Sequence, residues 1–260
     1  MLKAFLRVLL VIFVRLIVTK DQTILQQVQN FEFNEVMATF KSYFMGSTLV
    51  KIPKETLEEY SQYGYVDSPV YHDGVWLVRK LNWAKLAALL NLLPSYGGRI
   101  LDFGCGNGVM LPTFSKLFDE VFGIDLHVRS ASGLVKDYQL ENVELRNVNA
   151  YYLPFWDNMF DVVWASSALE HFQDVDAAIF QIKRVLKPGG ILLFLSPSEN
   201  WFYHMGRKIC GYEKPKDHYH TAKEIEKLLD LNFTPEVKKS FPFWGMPVYR
   251  LGRYRKHGSN

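Results

Sequence analysis

Three groups of residues in this 260-residue chain have types and spacing suited to chemistry. The first is FGCGNGVM (103–110), with glycines at 104, 106 and 108. Glycines so placed let a backbone turn tightly and approach a ligand closely, and the N-terminal end of a following helix can face a polar or anionic group. The second is Asp125, 21 residues after Gly104, whose carboxylate is placed to accept hydrogen bonds from both hydroxyls of an adenosine ribose. Loop and acid together indicate an adenosine cofactor without saying which one. A dinucleotide fingerprint would require Gly-x-Gly-x-x-Gly, and the sixth position here is Val109. The third group is histidines: His171 in SSALEHF, and His218 and His220 in KPKDHYHTAKEI. His171 and His218 are the two candidates for a general base, and each reads equally as a histidine satisfied within a turn or a cap. His218 and His220 form a His-x-His pair with no evident third ligand, so no metal site is assigned.

The elements around these residues change rhythm along the chain. Pro53 starts a short helix through KETLEEY, and YSQYGYVDSPVYH (60–72) is turn-like and aromatic. GVWLVRKLNWAKLAALLNLL (74–93) has apolar residues at helical spacing and is stopped by Pro94 and Gly97-Gly98. Short apolar runs then alternate with helical stretches. The strands expected are 99–103, 120–125, 143–148, 160–166 and 191–196, with helices near 108–118, 127–138 and 174–186. Such alternation implies a mostly parallel sheet covered on both faces. A helix over 221–231 and strands over 233–241 and 247–256 complete the chain.

With these elements in place the sequence resembles a family. RILDFGCGNGVMLPTF and VFGIDLH resemble the first two motifs of the class I S-adenosylmethionine-dependent methyltransferases. NVNAYYLPFWDNMFDVVWASSALEHFQD (147–174) and IKRVLKPGGILLFLSP (182–197) resemble the later motifs of their type 11 branch, which includes ubiquinone and menaquinone methyltransferases. The likeness covers residues 97–200 well and 221–256 loosely. It implies an α/β fold: a three-layer αβα Rossmann-like sandwich whose seven-stranded, mostly parallel sheet ends in an antiparallel strand. An N-terminal helical extension would precede it. It also implies S-adenosyl-L-methionine as cofactor. Asp102, Gly104, Cys105, Gly106 and Gly108 would surround its methionine part, Asp125 would bind the ribose and Leu126 would lie against the adenine. Asn149 and Ala150 would meet the adenine edge, and Ser166 would line the methionine side. Asn149 departs from the acid more common there, although an amide can both accept from and donate to the base. Cys105 reads as a packing residue. The implied activity is methyl transfer to a small-molecule or lipid-like acceptor, and ASSAL (165–169) disfavours a DNA-base target. The domain organisation expected is a segment 1–20, a helical extension or cap 21–96, and a cofactor domain 97–260 with an acceptor-side insertion at 197–220.

Charge divides the chain differently. The formal charge is +3, but residues 1–20 carry Lys3, Arg7, Arg15 and Lys20 without an acid, and residues 241–260 carry Arg250, Arg253, Arg255 and Lys256 likewise. Four positive charges at each end leave the middle at −5. An acidic middle with no recognised RNA module makes nucleic acid an unlikely partner. The apolar run from Val8 to Val18 would rise only about 16 Å as a helix, against roughly 30 Å of bilayer hydrocarbon. Lys3, Arg7 and Arg15 fall within an arc of roughly 120° on a helix, which fits a segment lying on an anionic membrane surface. A helix docked on its own domain or on a second subunit remains the alternative, and the oligomeric state is left open. PVYRLGRYRK reads either as a solvated final strand or as added attraction to lipid headgroups. Two cysteines, Cys105 and Cys210, in no Cys-x-x-Cys pair, point to a reducing, cytoplasmic compartment and to no disulfide framework.

Overall fold

A computed structural model of the chain describes residues 48–61, 76–209, 213, 216–242 and 247–258. The expectations for residues 1–20, for 21–47 and for the aromatic stretch 62–75 lie outside them, as does Cys210. Among the described residues no helix is long and apolar enough to cross a membrane.

The elements follow the alternation of the sequence. Helix α1 (Lys54–Ser61) and α2 (Trp76–Leu90) precede β1 (Arg99–Phe103), α3 (Leu111–Leu117), β2 (Glu120–Asp125), α4 (Arg129–Asp137) and β3 (Val143–Asn147). Then come β4 (Phe160–Ser166), a short 3₁₀ turn (Leu169–His171), α5 (Val175–Val185), β5 (Leu186–Pro197), α6 (Trp201–Ile209), α7 (Ala222–Asn232), β6 (Thr234–Phe241) and β7 (Tyr249–Arg255). The seven strands form one sheet in the order β3-β2-β1-β4-β5-β7-β6. Strands β1 to β5 pair in parallel, and β7 runs antiparallel to both β5 and β6.

Burial explains which runs became central strands. Residues 100–103 of β1 and 191–197 of β5 are buried throughout, as a strand covered on both faces requires. Side chains alternate between two cores. Trp164, Leu193 and Leu195 pack with α1 to α4 and Tyr203 of α6 on one face, whereas Val163, Leu192 and Phe194 pack with α5 and α7 on the other. The outer strands β3 and β6 are polar and half-exposed, as edges tend to be.

Two elements differ from the sequence reading. The Pro188-Gly189-Gly190 turn is absorbed into β5, whose pairing with β4 jumps from Phe160–Leu186 to Val162–Ile191. Gly189, with φ of +76°, supplies the bulge. The connection 197–220, expected only as an acceptor-side insertion, carries a helix: nine of its residues form α6. Asn200 starts that helix: its side chain accepts from the Tyr203 amide (2.8 Å) and donates to the Pro247 carbonyl (2.9 Å). Tyr203 is buried edge-on to Tyr249 of β7, so the connection is tied to the sheet.

The parallel register places the carboxyl ends of β1, β2, β3 and β4 along one edge. Chain order reverses on either side of β1, whose neighbours are β2 and β4. A crevice opens at such a reversal, outside the strand ends.

Candidate active site

The crevice is a cavity of about 530 Å³. Its floor is the loop after β1. Gly104 and Cys105 both donate their amides to the Ile124 carbonyl at 2.9 Å, which fastens the loop to β2. Gly104 has φ of +77°, and a Cβ there would sit 2.7 Å from that of Ala168 after β4. Only glycine allows this approach of loop to strand. Gly108 differs from its neighbours. It is absent from the cavity wall, and a Cβ on it would strike Leu111 and Ala131, so it serves the packing of α3 on α4.

Of the other nine positions expected to hold the cofactor, all line the cavity: Asp102, Gly104, Cys105, Gly106, Asp125, Leu126, Asn149, Ala150 and Ser166. Asp125 ends β2 with both carboxylate oxygens in use, Oδ2 accepting from the Gly106 amide (2.9 Å) and Oδ1 from the His127 amide (3.0 Å). Each oxygen can accept a second bond, so two ribose hydroxyls still find acceptors. Leu126 is 59% exposed although large and apolar, which leaves a flat apolar wall beside that acid. The Asn149 side-chain oxygen accepts from the Tyr151 amide (3.0 Å), so its amide nitrogen is the group left to point at a ligand. The Cys105 thiol is buried and, by that burial and then by Asp102 and Asp125, is pushed well above its ordinary range. It is no nucleophile.

Asp102 is the electrostatic feature of the floor. It is 4% exposed and makes no hydrogen bond through its carboxylate to any described residue. Burial, followed by the charge of Asp125, pushes its carboxyl up to about 8. No lysine or arginine lines the cavity among the described residues, whereas Asp102, Asp125 and Asp217 do. A buried carboxyl raised so far ionises when a cationic group comes to lie beside it, so Asp102 with Asp125 favours a cationic ligand over an anionic one.

The far end of the cavity, beyond β4, is built from distant segments. Ser167 carries a positive φ of 54°, rare for a residue with a side chain, and its amide donates to the Leu195 carbonyl. Lys85 of α2 reaches its hydroxyl (3.3 Å) and lies 4.2 Å over the ring of Tyr249. Lys85 is 4% exposed, and burial lowers its ammonium to about 8 against the opposing pull of Glu170. Glu170 is 1% exposed and accepts from the Ser196 hydroxyl (3.0 Å); burial raises its carboxyl. His171 lines the cavity with Nδ1 2.7 Å from Asp217. Burial alone would raise Asp217, but His171 and a backbone donor hold it below the usual range.

The histidines sort themselves. His218 lies behind His171 rather than on the wall; the rings meet edge-on at 4.8 Å, and its Nδ1 is 2.7 Å from Glu199. His171 is therefore the wall-lining base candidate, and His218 supports it from behind. The His-x-His pairing is not formed, because His220 turns to the Gln173 carbonyl (3.2 Å). Glu170 and His171 instead come to His218 from another segment, one ligand atom of each lying within 4.8 Å of the other two. Lys85, Ser167, Glu170, Glu199 and Asp217 were missed by sequence reasoning. Only Lys85 carried a signal, as a polar residue three positions from Asn82 on a helix face otherwise apolar and now buried.

The charge at the C-terminal end is spent internally. Arg250 pairs with Glu226, and Arg253 and Arg255 both pair with Glu236. Lys256 binds the Asn158 side chain and the Leu186 carbonyl. Of the two readings these contacts favour the final strand: they hold β7 to its neighbours.

Comparison with known proteins agrees with this geometry. A family model described as Methyltransferase domain matches residues 101–194. An uncharacterized methyltransferase of Schizosaccharomyces pombe is 39% identical over 103 residues, 35% of this chain and 37% of that protein. A demethylmenaquinone methyltransferase of Staphylococcus aureus is 37% identical over 107 residues, 40% of this chain and 44% of that protein. The match thus spans about two fifths of the length of these relatives. The structure of the N-methyltransferase NodS from Bradyrhizobium japonicum with S-adenosyl-L-homocysteine superposes with a TM-score of 0.57 at 17% identity, over 77% of this chain and 98% of that one. Strand order, glycine loop and family match converge: residues 101–194 match the methyltransferase-domain family, and the chain has the class I S-adenosylmethionine-dependent methyltransferase fold.

Proposed function

We propose that the protein transfers a methyl group from S-adenosylmethionine to a small, amphipathic acceptor. The observation that carries the cofactor half is Asp102: a buried acid beside Asp125 that, among the described residues, has no hydrogen-bond partner for its carboxylate and no lysine or arginine beside it in the cavity wall. A sulfonium cofactor with an α-ammonium group satisfies such a floor, and a dinucleotide pyrophosphate would meet two acids there. Asp125 would take the ribose hydroxyls, Leu126 would cover the adenine face, and the Asn149 amide with the Ala150 backbone would read its edge. Ser166 and the Gly104–Gly106 backbone would line the methionine end. When bound, the cofactor supplies an electrophilic methyl group on positively charged sulfur. The chain's task is then to hold the acceptor atom in line behind that carbon and to exclude water. His171, oriented by Asp217, is placed to take a proton from an acceptor that must lose one.

The acceptor reading draws on two supports. Ser167 and His171 line the far end of the cavity, with buried Lys85 held against the Ser167 hydroxyl and buried Glu170 beside His171 in the chain, which suits a polar head bearing oxygen or nitrogen. The Staphylococcus relative, named for a prenylated quinone, supports an apolar remainder. Residues 1–20 would then lie on an anionic inner membrane surface, close to such an acceptor. A freely diffusing metabolite is the alternative.

Incubating the protein with methyl-labelled cofactor and host lipid and metabolite extracts, followed by mass analysis, tests the activity. A product heavier by one methyl group supports it, in the lipid fraction for the amphipathic reading and in the aqueous fraction for the alternative. Cofactor binding with no labelled product in either fraction would instead favour a non-catalytic protein on the same fold. Liposome flotation tests the membrane arm: removing residues 1–20 should abolish binding to anionic vesicles, and unchanged binding would refute it.

A further inference from the structure

The cavity's far end holds a cluster that the cofactor does not use. One ligand atom from each of Glu170, His171 and His218 lies within 4.8 Å of the other two. We propose that these three residues bind a divalent transition-metal ion of the zinc and cobalt class, at the acceptor end of the cavity.

Three observations carry the site. First, the donor set is two imidazoles and one carboxylate, a set that suits such ions and leaves coordination positions open. Second, each imidazole already rests on a carboxylate through one nitrogen. The Nδ1 of His171 is 2.7 Å from Asp217 and that of His218 is 2.7 Å from Glu199, while Nε2 of each ring has no hydrogen-bond partner among the described residues. A carboxylate on one nitrogen is the usual support of a metal-bound histidine, because it sets the tautomer and makes the other nitrogen a better donor. Third, carboxylates gather there. Glu170, Glu199 and Asp217 bring three around the two rings; His204 also meets Glu199 (3.2 Å), and Lys85 feels the pull of Glu170 while its ammonium lies at Ser167 and the Tyr249 ring. A dication is attracted to such a cluster.

The members differ in freedom. Ligand atoms around a tetrahedral ion sit about 3.4 Å apart when the bonds are near 2.1 Å. Closing the cluster from 4.8 Å therefore needs a rotation, and His171 can make it: its side chain is 38% exposed, as is 63% of that of Asp217. Glu170 and His218 are buried and form the fixed part.

The role of the ion rests on the methyl-transfer reading, although its binding does not. Open positions facing the cavity would take an oxygen of the acceptor. There the ion would favour the oxyanion, with the proton released to water and His171 serving as ligand in place of its role as base. The oxygen lone pair would then form the bond to the methyl carbon as the carbon–sulfur bond breaks and its electron pair returns to sulfur.

The test is a titration of the untagged full chain, stripped with chelator, with Co²⁺ followed by visible absorption and with Zn²⁺ followed by calorimetry. The expected result is one ion per chain. His171→Ala, at a half-exposed position that tolerates truncation, and His218→Ala should each weaken binding by at least tenfold. Asp217→Asn should cost roughly ten- to a hundredfold through the support of His171. His220→Ala, whose ring faces the Gln173 carbonyl, should leave it unchanged. Absence of saturable binding, or binding that survives both His171→Ala and His218→Ala, overturns the proposal. S-adenosylmethionine binding is measured on the same samples. Its loss with metal binding retained counts against the cofactor reading alone, and the reverse counts against the metal site alone.

Discussion

The two ends of the cavity are built on different plans. The cofactor end draws Asp102, Gly104, Gly106, Asp125 and Leu126 from two successive strand–loop units within 25 residues, and it joins a backbone loop to two strand-end acids that lie close in sequence. The acceptor end gathers Lys85 from α2, Ser167 and Glu170 from beyond β4, and Glu199, Asp217 and His218 from the segments flanking α6. It works through buried charge. A ligand shared by many relatives can be held by a local motif, whereas a ligand particular to one protein is met by side chains that only the tertiary fold assembles.

Breaking the cofactor end should have the larger effects. Gly104→Val places a branched side chain at φ +77°, against Ala168, and is expected to abolish binding of S-adenosylmethionine in calorimetry. Asp125→Ala removes both the ribose acceptors and the anchor of the Gly106 amide, and should weaken that binding by at least about thirtyfold, as loss of charge-assisted hydrogen bonds does.

Asp102→Asn separates function from stability at the same end. Its carboxyl is raised from 3.8 in the unfolded chain to about 8 in the folded one. The folded state therefore holds the proton more tightly, and Asp102 erodes ligand-free stability as pH rises from about 4 towards 8. The substituted protein should lose cofactor affinity by about tenfold yet gain unfolding midpoint over the parent, with the gain absent near pH 4 and greatest at pH 8 and above. Equal midpoints at both pH values would mean that the acid is not buried unpaired.

At the acceptor end, Lys85→Met should leave cofactor affinity within about twofold and lower turnover at least tenfold, because apolar bulk replaces a buried cation without touching the glycine loop. Least affected should be the protein with Arg255→Ala. Its partly exposed ion pair with Glu236 is worth at most about 1 kcal/mol, and vesicle binding should not change.

The same contrast explains what the chain's order of residues disclosed. Strands β1, β2 and β4 were legible to the residue, since an apolar run between turn signals has one way to be buried on both faces. Asp125 and the glycine loop were legible because motif and structure share one local geometry. Gly108 shows the limit of that reading: it stands in the motif, yet it packs α3 on α4. The helix α6 was hidden by its aromatic composition, although Asn200 offered a cap. Glu170 and Glu199 look like ordinary surface acids in sequence, and nothing local says that β5 and the α6 connection will bury them. Likewise the basic C-terminal end looked available for lipid until Glu226 and Glu236 were found beside it.

The central claim is that a cavity floored by Asp102 and Asp125 takes a sulfonium cofactor. Calorimetric titration with S-adenosylmethionine and, separately, with nicotinamide dinucleotides tests it most directly. The account predicts one S-adenosylmethionine site per chain, weakened by both Asp102→Asn and Asp125→Ala, and no heat from the dinucleotides. Dinucleotide binding without S-adenosylmethionine binding would contradict it.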